Sequence, residues 1–87
     1  MFIFTVYDKK ACIHTSPFFA QNKETAVRSF FRLSNDSRSD VNLFPDDYAL
    51  YCVGQFCDTD GSIAPFCPVE HVVDARALIK IDKTESN

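Results

Sequence analysis

The sequence predicts an α+β fold: a small antiparallel sheet of two hairpins with one or two helices packed on one face, in ββαββα order. Three observations carry this reading. Two stretches rich in β-branched and aromatic residues, Phe2 to Tyr7 and Tyr48 to Cys57, each run through a polar turn into a shorter apolar stretch, which is the pattern of a hairpin. Between them Ala26, Val27, Phe30, Phe31 and Leu33 recur at the spacing of a helix with one buried stripe. The strand patterns come in pairs rather than alternating singly with helices, so a parallel sheet is excluded.

In the first strand Phe2, Phe4 and Val6 share one face and Ile3, Thr5 and Tyr7 the other, as expected of an interior strand. Asp8-Lys9-Lys10-Ala11 forms a polar turn into a short strand, Cys12 to Thr15, which Ser16-Pro17 ends because proline has no N–H for the ladder. Asn22 is a good helix N-cap and Glu24 suits the positive end of the helix dipole, so a helix runs from about Lys23 to Leu33, with Arg28 and Arg32 on its outer face. Ser34 to Asp40 contains no apolar residue and is expected to be a mobile surface loop. Strict alternation then places Tyr48, Leu50, Cys52, Gly54 and Phe56 on one face of the long strand, with Ala49, Tyr51, Val53, Gln55 and Cys57 on the other. Asp58 to Gly61, with Gly61 left-handed, turns the chain into a strand from Ser62 to Cys67. Pro68 then opens a second helix over about 69–79, with Val69, Val72, Val73, Ala77 and the stem of Lys80 as its buried stripe; the same valines leave a strand as the alternative. Residues 1–81 make a single domain, and 82–87 form a polar, frayed tail.

A chain of 87 residues is too short to divide, and its 46% apolar and 24% charged content is that of a globular protein rather than a disordered tail. Nine Phe and three Tyr give large side chains to a core that would otherwise be too small to offset chain entropy. No apolar run approaches the roughly 20 residues that cross a bilayer, and the N-terminal stretch lacks the features of a secretory signal, so a cytoplasmic protein with no membrane contact is expected. The net charge of −3 hides an asymmetry. Residues 1–38 carry six bases against three acids, a net +3, whereas 39–87 carry three bases against nine acids, a net −6. A basic side facing an anion and an acidic side facing a basic partner are both compatible with that division.

Cys12, Cys52, Cys57 and Cys67 are expected to be reduced and free of metal, with buried apolar thiols as the default, Cys52 in the core and Cys57, near the turn, the likeliest to be exposed. Cys52 and Cys57, five apart on a strand, point to opposite faces and cannot share a zinc ion; Cys12 and His14 could supply two ligands from one strand face but lack a second pair. His14 and His71 belong to no catalytic signature, two glycines exclude a phosphate-cradling loop, and Asp46-Asp47 reads as a solvated turn, so no enzymatic activity and no cofactor are expected. Binding has more support. Proteins that hold single-stranded nucleic acid set exposed aromatics beside basic groups. Tyr7 leads into Lys9 and Lys10, and Tyr51 stands in the long strand; with Lys23, Arg28, Arg32 and Arg38 these are the candidate binding residues.

The strings Tyr7-Asp8-Lys9-Lys10-Ala11, Ser16-Pro17-Phe18-Phe19-Ala20-Gln21-Asn22, Ala26-Val27-Arg28-Ser29-Phe30, Phe44-Pro45-Asp46-Asp47-Tyr48 through Phe56, and the turn from Asp58 to Ile63 follow in this order. Together they resemble the small nonstructural protein of gokushovirus-type microviruses, which are phages with single-stranded DNA genomes. The resemblance runs from about residue 3 to 79. It departs at Cys57 and Cys67, where polar residues would be expected, and in the net negative charge. It implies a counterpart of the microvirus protein C, a protein of the host bacterial cytoplasm and not of the virion. It implies a part in DNA binding and in the switch from duplex copying to single-stranded genome synthesis and packaging, and with the basic first half it leads to the expectation of weak binding of single-stranded DNA without sequence preference. A replication initiator or capsid protein is then an expected partner of the acidic half. The competing expectation is a homodimeric interaction module that regulates viral or host replication proteins without touching DNA.

Overall fold

The computed structural model describes residues 1–80. Strand β1 (Phe2–Asp8) lies inside a five-stranded antiparallel sheet. One side of β1 carries two short strands end to end: β2 (Ile13–His14), which sets His14 opposite Tyr7, and β3 (Phe18–Ala20), which sets Phe18 opposite Phe4. Thr15 bridges the gap between them, its N–H donating to the Val6 carbonyl at 2.9 Å and its Oγ1 accepting the Val6 N–H at 3.0 Å. The other side of β1 pairs with β4 (Tyr48–Phe56), and β4 pairs in turn with β5 (Ile63–Asp74).

Helix α1 (Lys23–Ser34) begins at Asn22, whose Oδ1 accepts the Thr25 N–H at 2.9 Å and the Thr25 hydroxyl at 2.8 Å. Its Ala26 and Phe30 meet Phe4, Val6, Leu50 and Cys52 of the two inner strands. Val41, from the short helix α2 (Asp40–Leu43), and Ala75, from a 3₁₀ turn at Ala75–Leu78, close the ends of this core. Phe4, Leu50 and Cys52 are fully buried, so the core lies on one face of the sheet.

The chain is α+β with an antiparallel sheet, but the ββαββα order is not what forms: the sequence of elements is three strands, two helices and two strands. The expected second helix over 69–79 is the end of β5 and the 3₁₀ turn. Val73 sits opposite Leu50 and His71 opposite Tyr51, where β-branched and flat side chains pack well on a pleated surface. Pro65 and Pro68 are accommodated because β5 is an edge strand whose outer N–H groups bond nothing in the sheet. Pairing pauses between Gly54↔Pro65 and Cys52↔Glu70, so residues 66–69, with a cis Cys67–Pro68 bond, lie opposite Val53 alone, and Phe66 reaches back onto the core.

The same residue overturns the strict alternation expected along β4. A register shift at Val53 puts Gly54 opposite Ile3 rather than beside Cys52 on the core face, and carries Phe56 round to meet Phe19, the partner of Ile3. The expected strand Cys12 to Thr15 shrinks to Ile13–His14, because Cys12 takes a left-handed turn position with φ 59°. The segment expected to be a mobile loop is tied down. Ser34 is buried with its hydroxyl donating to the Phe30 carbonyl at 2.8 Å, Ser39 Oγ donates to the Leu33 carbonyl at 2.6 Å, and Asn42 Nδ2 donates to the Ser34 carbonyl at 2.9 Å. Polarity there serves the helix end rather than solvent.

Two polar clamps hold the last described residues. Asn35 Nδ2 donates to the carbonyls of Phe31 (2.9 Å) and Leu78 (3.0 Å), and its Oδ1 accepts the Lys80 N–H at 2.8 Å. Arg76 grips Asp46 through two bonds of 2.9 and 3.0 Å, which hold the Asp46 carboxyl below the usual carboxylate range. The expected frayed tail at 82–87 lies outside the described residues.

Gly54 marks a close approach between β4 and β5, since a Cβ there would stand 2.9 Å from the Ala64 carbonyl oxygen. Gly61, at φ +78°, has open space around it and needs only its left-handed conformation. Gly54→Ala is expected to lower stability by about 1–3 kcal/mol through forced movement of β5. Gly61→Ala should cost about 1 kcal/mol. Urea unfolding of both variants measures the difference, and a Gly54→Ala variant as stable as the parent would contradict the packing described.

Candidate nucleic-acid interface

The face of the sheet turned away from α1 carries no helix among the described residues, and the sheet covers it with its own rings. Alternation along β1 and β4 sends Tyr7 and Tyr51 outward while their neighbours Val6, Leu50 and Cys52 enter the core. The two tyrosine rings meet edge to face with centroids 5.7 Å apart. His14 on β2 lies 4.5 Å from Tyr7 and 5.6 Å from Tyr51, and His71 on β5 lies 5.4 Å from Tyr51. One row of rings, His14, Tyr7, Tyr51 and His71, therefore crosses every strand position at this end of the sheet. The row covers a small side chain: Thr5, opposite Tyr51, is only 5% exposed. Nearer the start of β1, Phe19 and Phe56 meet edge to face at 5.8 Å on the same surface as Ile3.

Hydrogen bonds fix the two imidazoles. Thr5 Oγ1 and His14 Nδ1 are 2.7 Å apart, and His71 Nε2 is 2.9 Å from Asp74 Oδ1. The bond from His71 holds the Asp74 carboxyl below the usual carboxylate range, and Lys9, 3.6 Å away, adds to the effect. Partial burial, followed by the neighbouring Cys12 thiol, raises the Tyr7 hydroxyl above its ordinary pKa. Lys9 thus stands at the rim of the ring row, and Lys10 follows it in the β1–β2 turn without a carboxylate within salt-bridge distance among the described residues.

The eight residues singled out in the sequence do not converge. Tyr7, Tyr51, Lys9 and Lys10 are on or beside the open face, whereas Lys23, Arg28 and Arg32 ride on α1 across the sheet and Arg38 follows that helix. Lys23 is held by Glu70 at 2.6 Å and Arg38 by Asp36 at 3.1 Å. His14 and His71 complete the row and were missed. Finding His14 required the register of the first hairpin, and finding His71 required a strand where helical spacing was read.

Cys57 is exposed and Cys52 buried, as expected, whereas Cys12 and Cys67 are not the buried thiols expected. Cys52 is enclosed in the core, where burial raises its thiol pKa, but Cys12, Cys57 and Cys67 are exposed. Cys12, in its turn, donates its thiol to the Lys9 carbonyl and shares no strand face with His14. Among the described residues no three metal-binding side chains gather into a site, and no helix is long and apolar enough to cross a membrane. A maleimide reagent added to the folded protein is expected to modify Cys12, Cys57 and Cys67 and to reach Cys52 only on unfolding. Early labelling of Cys52 would contradict the packing of the core.

No curated protein and no solved structure matches the chain. A family model described as Phage ORF5 protein matches residues 1–78, which takes in both inner strands, α1 and all four rings of the row. The chain belongs to the Phage ORF5 protein family and is a phage protein.

Proposed function

We propose that this phage protein is a non-enzymatic accessory factor that binds single-stranded DNA weakly and without sequence preference, using the open face of its sheet. The observation that carries the reading is the row His14, Tyr7, Tyr51 and His71. Sheets that present aromatic side chains on adjacent inner strands offer bases a stacking surface, and every base has a face to stack. Lys9 and Lys10 at the rim supply charge for phosphates, and the contribution of Lys9 is tempered by Asp74.

In the biology this implies, the protein works in the host bacterial cytoplasm and not in the virion. There it acts, as a protein C-like factor of a gokushovirus-type phage would, during the switch to single-stranded genome synthesis and packaging. A replication initiator or capsid protein is its natural partner. Homodimerisation by strand pairing has less support: one edge of the sheet carries Pro65 and Pro68, and the other is broken at Ser16-Pro17.

Fluorescence anisotropy with a labelled thymidine oligonucleotide tests the reading. Affinity should fall with salt at a log–log slope of roughly −0.7 per phosphate neutralised. Tyr51→Leu, which keeps an apolar cover over Thr5 but removes the ring, should weaken binding about tenfold. The double variant Lys9→Glu/Lys10→Glu should reduce both the affinity and the salt slope, and Arg28→Glu/Arg32→Glu should leave both intact. Binding that ignores salt, or that survives Tyr51→Leu and fails with the arginine pair, would reject the open face as the interface.

A further inference from the structure

The chain carries a net charge of −3, yet one side of α1 gathers cations around an apolar floor. Val27 and Phe31, one helical turn apart, line a shallow depression of about 420 Å³ together with Lys23, Glu24 and Arg28. Lys80, brought across by the Asn35 clamp, sets its ammonium 5.9 Å from the Phe31 ring centroid. Arg32 continues the Arg28 row one turn further along the helix. Of these cations only Lys23 has a carboxylate within salt-bridge distance among the described residues, that of Glu70. Glu24 is the one acid in the lining and makes no ion pair with Arg28.

Two apolar side chains at an i, i+4 step receive a helix more readily than an extended strand, because a helix presents its own anchors at the same step. Arg28, Arg32 and Lys80, which have no carboxylate within salt-bridge distance among the described residues, select its charge. We propose that the α1 groove is a docking site for an acidic amphipathic helix of a partner protein. Its apolar residues cover Val27 and Phe31, and its carboxylates face Arg28, Arg32 and Lys80. The site lies on the opposite side of the sheet from the ring row, so one chain can hold this partner and single-stranded DNA together. The inference does not depend on the DNA reading.

Isothermal titration and anisotropy with two synthetic helical peptides test it. Both carry leucines at i, i+4 steps; one is flanked by Glu and the other by Lys. The parent protein should prefer the Glu peptide by about tenfold or more, with the preference shrinking as salt rises. Arg28→Glu/Arg32→Glu, two exposed changes whose fold is checked by circular dichroism, should reverse the preference, and a thymidine oligonucleotide should not displace the Glu peptide. Equal affinity for the two peptides, no binding of either, or an unchanged preference in the arginine variant would overturn the proposal. Displacement by the oligonucleotide would also overturn it, because the groove would then belong to nucleic acid. Loss of DNA binding in the tyrosine variant, with peptide binding kept, bears only on the open face.

Discussion

One long helix cannot cover both faces of a sheet, and the architecture of this chain follows from that shortage. Helix α1 has 12 residues, a length of about 18 Å, enough to close a core over Phe4, Val6, Leu50 and Cys52 but nothing beyond it. The opposite face must be protected by the sheet itself. It manages this by setting large rings over small neighbours, Tyr51 opposite Thr5 and Tyr7 opposite Ala49, so that Thr5 and Ala49 are buried beneath a layer one ring thick. A layer made of tyrosine and histidine leaves polar atoms at its surface, and that is what gives the face its chemistry.

The polar clamps answer a second demand of small size. The last described residues pack against no further helix among those described, and Asn35 and Arg76 fasten them through backbone and carboxylate bonds. The Asn35 clamp also positions Lys80 beside Phe31, so a device that closes the fold shapes the charged groove on α1. Arg28 and Arg32 thus stand with Lys80 on the helix side, while Lys9 meets Asp74 beside the ring row on the other.

Much of this was legible in the sequence. Helix α1 could be placed from Asn22 and the spacing of its apolar residues, and the turn at Gly61 from the need for a positive φ. Tyr7 and Tyr51 could be named because a tyrosine in a half-buried strand keeps its hydroxyl near water. What could not be read was non-local. At Val53 the register shifts against both β1 and β5, and no alternation pattern in β4 alone reveals it. The end of β5 was misread because Val69, Val72 and Val73 satisfy a helical spacing as well as a strand's, and only pairing with Leu50 and Tyr51 decides between them. That error hid His71, and through it the continuity of the ring row.

The helix-free face is the proposed binding surface. Two-dimensional NMR of the isotopically labelled protein, titrated with a short thymidine oligonucleotide, addresses it residue by residue. Binding there should shift the ring signals of Tyr7, His14, Tyr51 and His71 and the backbone of Lys9 and Lys10 progressively, with Val27, Arg28 and Phe31 unmoved. Shifts centred on α1, with the four rings unchanged, would contradict it.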